Sequence, residues 1–232
     1  MSRILALDTS SEACSAALWL DGRCLELYEQ APRQHTKLLL PMVERLLIDA
    51  SLVLTDLDAI AFGRGPGSFT GLRISAGVAQ GLALGANLPL LPISTLAALA
   101  DARLQEQPGE GVLAAIDARM NEVYWGFYRR AGGSVTLVGA EHVGAAARIA
   151  VPDDLDLGQH WLGAGTGWQF AAEMPAAVTG SIHAIDPELQ PAAGAMARLA
   201  AVAFKRGEAM APEAAQPLYL RDDVAHKKGG AR

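Results

Sequence analysis

Gly63-Arg64-Gly65-Pro66-Gly67-Ser68-Phe69-Thr70-Gly71 separates a short apolar run, Ala59-Ile60-Ala61-Phe62, from a long segment of helical character, Leu72 to Ala86. Glycine loses more backbone entropy on ordering than any other residue. Four glycines and a proline in nine residues therefore predict a tight turn, not the interior of a helix or strand. Such a turn lets backbone approach something closely. One candidate is an anion, held by N–H groups converging at the helix N-terminus. The other is polypeptide packed hard against the loop. A Walker A loop needs Lys-Ser or Lys-Thr after its last glycine, whereas Leu72-Arg73 follows Gly71. A G-x-G-x-x-G pattern starting at Gly65 fails because Thr70 stands at its last position. We read Gly65, Pro66, Gly67 and Gly71 as a structural loop.

Upstream, Ile4–Asp8, Cys14–Leu20 and Arg23–Tyr28 are strand-like, and the Asp21-Gly22 turn between the last two is a strong hairpin signal. A helix follows to Ala50, with Thr36 as its expected N-cap and Pro41 near its first turn. Leu57–Phe62 and Pro89–Leu91 read as short strands, and Ser94 as the N-cap of a helix through Arg103. Strand, helix, strand, helix implies a sheet with a parallel crossover.

Gln107-Pro108-Gly109-Glu110-Gly111 breaks this pattern and marks a boundary. Beyond it Val112–Asp117 is again an apolar strand ending in aspartate, and Glu122–Arg129 an aromatic-rich strand, so the second half opens as the first did. Trp161–Gly167 reads as a strand and turn, and Ala192–Lys205 as a helix whose start Gly194 weakens. The resulting division is a first lobe, 1–106, with the helix at 192–206 packing back on it; a reduced second lobe, 107–190; and a tail, 207–232.

Apolar residues make up 51% of the chain, which argues for a packed globular protein rather than disorder. A net charge of −6 argues against holding nucleic acid unaided. The N-terminal apolar run Ile4–Leu7 is too short for a signal peptide core or a membrane span, and the window Ile74–Leu88 is interrupted by polar residues and glycines, so a cytoplasmic protein is expected. Cys14 and Cys24 do not form a disulfide framework.

Candidate chemistry is sparse. His35, His142, His160, His183 and His226 show no metal-ligand spacing, so no metal is assigned. No G-x-S-x-G elbow occurs, and no catalytic residue is assigned. Asp8-Thr9-Ser10-Ser11 ends the first strand as the phosphate loop does in the actin, sugar-kinase and Hsp70 superfold, and Asp117 would be the matching second aspartate. The usual Asp-x-Gly-Thr glycine is missing, and a phosphate nearing the backbone needs that space. Asp8, Thr9, Ser10 and Asp117 are thus read as a degenerate nucleotide site. The helix from Leu72 to Ala86 carries only Arg73 and Gln80 as strongly polar side chains. A helix so apolar must be covered on both sides. Its small residues, Ser75, Ala76, Gly77, Ala79, Gly81 and Ala83, permit close approach of another helix, and the preceding helix is also apolar beyond one face. Together they suggest a subunit interface.

These segments resemble the TsaB (YeaZ) family. The likeness is carried by Arg3–Ser11, by His35–Leu47, above all by Gly65-Pro-Gly-Ser-Phe-Thr-Gly-Leu-Arg-Ile74, and by Asp117–Trp125 and Tyr219–Arg221. The resemblance implies an α/β, actin-like fold of two related lobes, the second reduced. It implies a role in making N6-threonylcarbamoyladenosine at position 37 of tRNAs that read codons starting with A. There a TsaD-type paralogue transfers the threonylcarbamoyl group from its adenylate, a TsaE-type ATPase supports turnover, and the chain itself is a non-catalytic scaffold that meets tRNA only through the complex. The implied partner surface lies on Leu39, Met42, Val43, Leu46, Arg73, Ala76, Gly77 and Gln80, with homodimers forming when the partner is absent. No cofactor is implied beyond a possible ATP or ADP at a subunit junction.

Three rivals stand beside this reading. One is a small actin-like ATPase or kinase using Asp8 and Asp117. Another is a metal-dependent, glycoprotease-like peptidase. The third is a stand-alone dimeric chaperone. The basic tail from Arg221 onward, with His226, Lys227 and Lys228, is the one hint of direct tRNA contact.

Overall fold

A computed structural model of the chain describes residues 2–158 and 160–221. The basic tail positions His226, Lys227 and Lys228 lie outside the described residues. The elements, in order, are β1 (Arg3–Asp8), β2 (Ala13–Leu20), β3 (Arg23–Gln30), α1 (His35–Asp49), β4 (Ala59–Gly65), α2 (Phe69–Ala86), β5 (Leu90–Ser94) and α3 (Thr95–Glu106), then β6 (Gly111–Arg119), β7 (Glu122–Ala131), β8 (Ser134–Gly144), β9 (Trp161–Ala164), α4 (Ala176–Thr179), β10 (Ile182–Asp186) and α5 (Ala193–Lys205).

The strands form two five-stranded sheets, ordered β3-β2-β1-β4-β5 and β10-β9-β6-β7-β8. Written from the other edge, the second is β8-β7-β6-β9-β10 and repeats the first. In each, an antiparallel meander of three strands is extended by two parallel ones. This is the duplicated, actin-like α/β fold. The second lobe is the reduced one. A three-residue turn, Ala146–Arg148, stands where the first lobe has α1, and a short-pitch helical stretch, Thr166–Glu173, with α4 stands where it has α2.

Packing explains the layers. Leu39, Met42, Val43 and Leu46 of α1 and Ala76, Ala79 and Ala83 of α2 cover one face of the first sheet over Leu5, Leu7, Leu18, Ile60 and Phe62. Ala193, Met196, Ala197 and Ala200 of α5 cover its other face. Leu96 and Leu99 of α3 pack on Val112, Ala114 and Leu162 of the second sheet. The far side of that sheet is sealed by Trp125, Trp161, Trp168 and Met174.

Several local expectations shift. The Asp21-Gly22 turn has positive φ at both residues, as a two-residue hairpin turn of this twist requires. The N-cap of α1 is Gln34, not Thr36, because the amides of Lys37 and Leu38 both donate to Gln34 O. Pro41 is the seventh helical residue, past the first turn. Contrary to the turn expected there, β4 runs on through Gly63 to Gly65, and α2 starts at Phe69 with Ser68 as N-cap, its Oγ accepting from Gly71 N–H at 3.3 Å. Gly194 lies within α5 and has a packing reason there: a Cβ would lie 2.5 Å from Glu26 Oε2, and Glu26 Oε1 accepts the Gly194 N–H at 2.7 Å.

Candidate functional site

The glycine loop and the end of β1 form one packed unit. Ser68 N–H donates to Ser10 O at 2.7 Å, and Thr9 Oγ1 donates to Gly71 O at 2.7 Å. Thr95 Oγ1 donates to Pro66 O from the N-terminus of α3. A Cβ on Gly67 would sit 2.5 Å from Ser10 O, one on Gly71 would overlap Thr9 O, and one on Gly63 would overlap Asp8 Oδ1. Gly65 has φ +107°, which a side chain disfavours, and the Gly65–Pro66 peptide is cis. The glycines therefore make room for Asp8, Thr9 and Ser10. Asp8, Thr9 and Ser10 are themselves buried.

Asp8 shows the consequence. It is fully buried, and its carboxylate accepts local hydrogen bonds from Ser10 Oγ at 3.0 Å and Ser10 N–H at 3.2 Å. Burial outweighs these bonds and pushes its pKa up to about 7. The Asp8 side chain is sealed from solvent. Asp117, at the same place in the second sheet, is half-buried. Its Oδ1 accepts Arg119 N–H at 2.8 Å, its Oδ2 lies 3.3 Å from Arg119 Nη1, and its own N–H donates to Thr166 Oγ1 at 3.1 Å. Of the residues expected to form a degenerate nucleotide site, Asp8, Thr9 and Ser10 are buried in the junction with the glycine loop, and Asp117 on the second lobe is paired with Arg119. Among the described residues, no three His, Cys, Asp or Glu side chains gather as a metal site would require.

The helical surface also needs correction. Leu39, Met42, Val43, Leu46 and Ala76 are buried in the molecule's own core. Gln80 is half-buried, and its Nε2 donates to the carbonyls of Pro212 and Ala215. Ser75, Ala79 and Ala83 face the sheet as well. Of the expected set, Arg73 and Gly77 face outward. They share that face with Gly81, Leu84 and Gly85 of α2, beside the exposed Leu40 and Ile48 of α1. Reading hydrophobicity picked the core stripe because that stripe is where the apolar side chains are. The signal for the outward stripe was Gly77, Gly81 and Gly85 recurring every fourth residue. A Cβ on any of the three would meet nothing within 4 Å.

This geometry is shared by known proteins. A family model described as "TsaD: tRNA N6-adenosine threonylcarbamoyltransferase" matches residues 28–229. The tRNA threonylcarbamoyladenosine biosynthesis protein TsaB of Escherichia coli is 44% identical over 226 residues, covering 97% of each chain. Its counterpart in Haemophilus influenzae is 41% identical, covering 97% of this chain and 96% of its own. The chain belongs to the TsaB family. The solved structure of YeaZ from Pseudomonas aeruginosa superposes with a TM-score of 0.89 at 50% identity, over 95% of this chain and 100% of that one. A second solved structure, of a protein described as similar to peptidase YeaZ, gives 0.90 at 50% identity, with the same coverage. No helix among the described residues is long and apolar enough to cross a membrane.

Proposed function

We propose that the chain is the non-catalytic scaffold of a tRNA-modifying transferase. It docks through the outward face of α1 and α2 on a TsaD-type subunit, which transfers threonylcarbamoyl from its adenylate to N6 of adenine 37 in tRNAs reading codons that start with A. A TsaE-type ATPase supports turnover, and a homodimer through the same face competes when the partner is absent. The carrying observation is the buried Asp8 junction. Gly67 and Gly71 press against Ser10 O and Thr9 O, and Asp8, Thr9 and Ser10 are all buried, which favours a structural role for this loop. This weighs against the ATPase or kinase reading. Among the described residues, no cluster of histidines, cysteines and carboxylates supports the peptidase reading.

The docking face is supported by an energetic oddity. Glycine in an exposed helix interior costs about 1 kcal/mol relative to alanine. Helix α2 carries three such residues on one open stripe, Gly77, Gly81 and Gly85. A helix from a partner approaching along that stripe gives a physical reason to keep them.

The test is reconstitution with the TsaD-type subunit, the TsaE-type ATPase, tRNA and threonylcarbamoyl-adenylate. Modification should require this chain, should be lost with Leu84→Glu, and should survive Asp8→Asn. Modification by the chain alone, or ATP turnover by the pure chain that Asp8→Ala abolishes, would overturn the proposal.

A further inference from the structure

The chain beyond α5 takes an ordered path across the molecule. Met210 and Leu90 exchange backbone hydrogen bonds of 2.8 and 2.9 Å at the edge of the first sheet. Gln80 Nε2 then holds the carbonyls of Pro212 and Ala215 against α2, at 3.2 and 2.8 Å. Leu218 N–H donates to Arg64 O in the glycine loop at 2.7 Å. Tyr219 seats on α2: its ring is 5.8 Å from that of Phe69, and the Arg73 guanidinium lies 3.2 Å from the Phe69 centroid and 4.8 Å from that of Tyr219. Arg221 crosses to the second lobe, where Nη2 donates to Ala118 O at 3.3 Å and pairs with Glu122.

The place where Arg221 lands is strained. Arg119, Met120 and Asn121, at the β6–β7 hairpin tip, have φ of +63°, +58° and +58°. Consecutive non-glycine residues in the left-handed region persist only where neighbours hold them. Arg221 grips the residues on either side of this tip, Ala118 and Glu122. The same rim carries a second tie. Arg64, whose carbonyl holds Leu218, pairs through its side chain with Glu141 of the second lobe at 3.2 Å, and Glu141 accepts the Tyr128 hydroxyl at 2.6 Å. Arg64 thus joins the crossing segment to the buried contact between lobes.

We propose that residues 216–221 are a strap that locks the β6–β7 hairpin tip to the first lobe, and that the Tyr219 seat on α2 controls the lock. Whatever displaces Tyr219 from Phe69 and Arg73 loosens the hairpin on the other lobe, so events on the α2 surface reach the second lobe through this segment.

Hydrogen exchange of the full chain, read by mass spectrometry, tests this. Arg221→Ala and Glu122→Gln should each speed exchange of residues 117–124 by about fivefold, and the double variant should go no further than either. Tyr219→Ala should produce the same change at residues 117–124, although its ring contacts are with α2. Circular dichroism and the melting temperature verify that each variant is folded. Unchanged exchange at 117–124 in Tyr219→Ala, or additive effects in the double variant, would overturn the proposal.

Discussion

The carbonyl oxygen of Thr9 occupies the space where a side chain on Gly71 would begin. Gly71 is in the first turn of α2, and Thr9 is the first residue after β1, so the two are bound by sterics as well as by the Thr9 Oγ1–Gly71 O hydrogen bond of 2.7 Å. Neither atom can retreat cheaply, since both are backbone. Gly71→Ala should therefore destabilise the protein by about 3 kcal/mol or more, toward the upper end for overpacked cores. Gly81→Ala, on the open stripe of the same helix, should stabilise the isolated monomer by up to roughly 1 kcal/mol. Urea unfolding of the two variants checks both signs.

Asp8 gives the stability a pH dependence. Burial holds its folded pKa at about 7, above the ordinary aspartate value of 3.8, so the native state holds this proton more tightly than the unfolded chain. The Asp8 contribution is thus most favourable below about pH 3.8, is lost progressively as pH rises through 7, and is flat above. The full span is on the order of 4 kcal/mol. Asp8→Asn removes the titration. Wild type should lose stability relative to this variant between pH 5 and pH 8, measured by urea unfolding at each pH. A difference that stays constant with pH would mean that Asp8 is charged in the fold.

The buried and exposed faces of α1 and α2 give opposite outcomes for similar charge substitutions. Met42→Asp places a carboxylate in the core beneath α1, where an unpaired charge costs several kcal/mol, so the variant should fail to fold. Leu84→Glu and Gly81→Arg lie on the outward stripe and should leave circular dichroism and melting unchanged while shifting sedimentation toward monomer. Leu84→Glu that still dimerises and still binds the TsaD-type subunit would remove this face as the docking surface.

Much of this was legible in the chain and some was not, for physical reasons. The repeat of strand, aspartate turn and strand was readable because Ile4–Asp8 and Val112–Asp117 are both continuous apolar runs ending in a turn former. Strand β8 escaped detection: it is an edge strand whose alternation is broken at Gly139, where φ is +73°. Strand β10 was also missed, being five residues long and only partly buried. The glycine loop was recognised as a close approach, but sequence could not say to what, since Thr9 and Ser10 lie about 60 positions away and meet it only through the β1–β4 pairing. The partner face was misplaced because helical periodicity reports where apolar side chains cluster. It does not say whether the surface they cover belongs to the same chain or to another.

The tie between lobes at Glu141 yields the last prediction. The Glu141 side chain is 4% exposed and faces three donors: the Tyr128 hydroxyl at 2.6 Å, Arg64 Nη2 at 3.2 Å, and Ser94 Oγ, which also caps α3 by accepting from Ala97 N–H at 3.1 Å. Burial and the neighbouring Glu141 charge hold the Tyr128 phenol well above its ordinary pKa, so it donates at every physiological pH. Tyr128→Phe removes one donor to a buried charge and should cost about 1.5–3 kcal/mol. Glu141→Ala leaves Arg64 without its carboxylate and should cost about 3–5 kcal/mol. If the groups act as one network, the double variant should cost clearly less than the two single losses added together, because each single change already weakens the contacts the other would remove. Urea unfolding of the four proteins in this cycle measures the coupling, and strict additivity would show that Tyr128 and Glu141 stabilise the lobe contact independently.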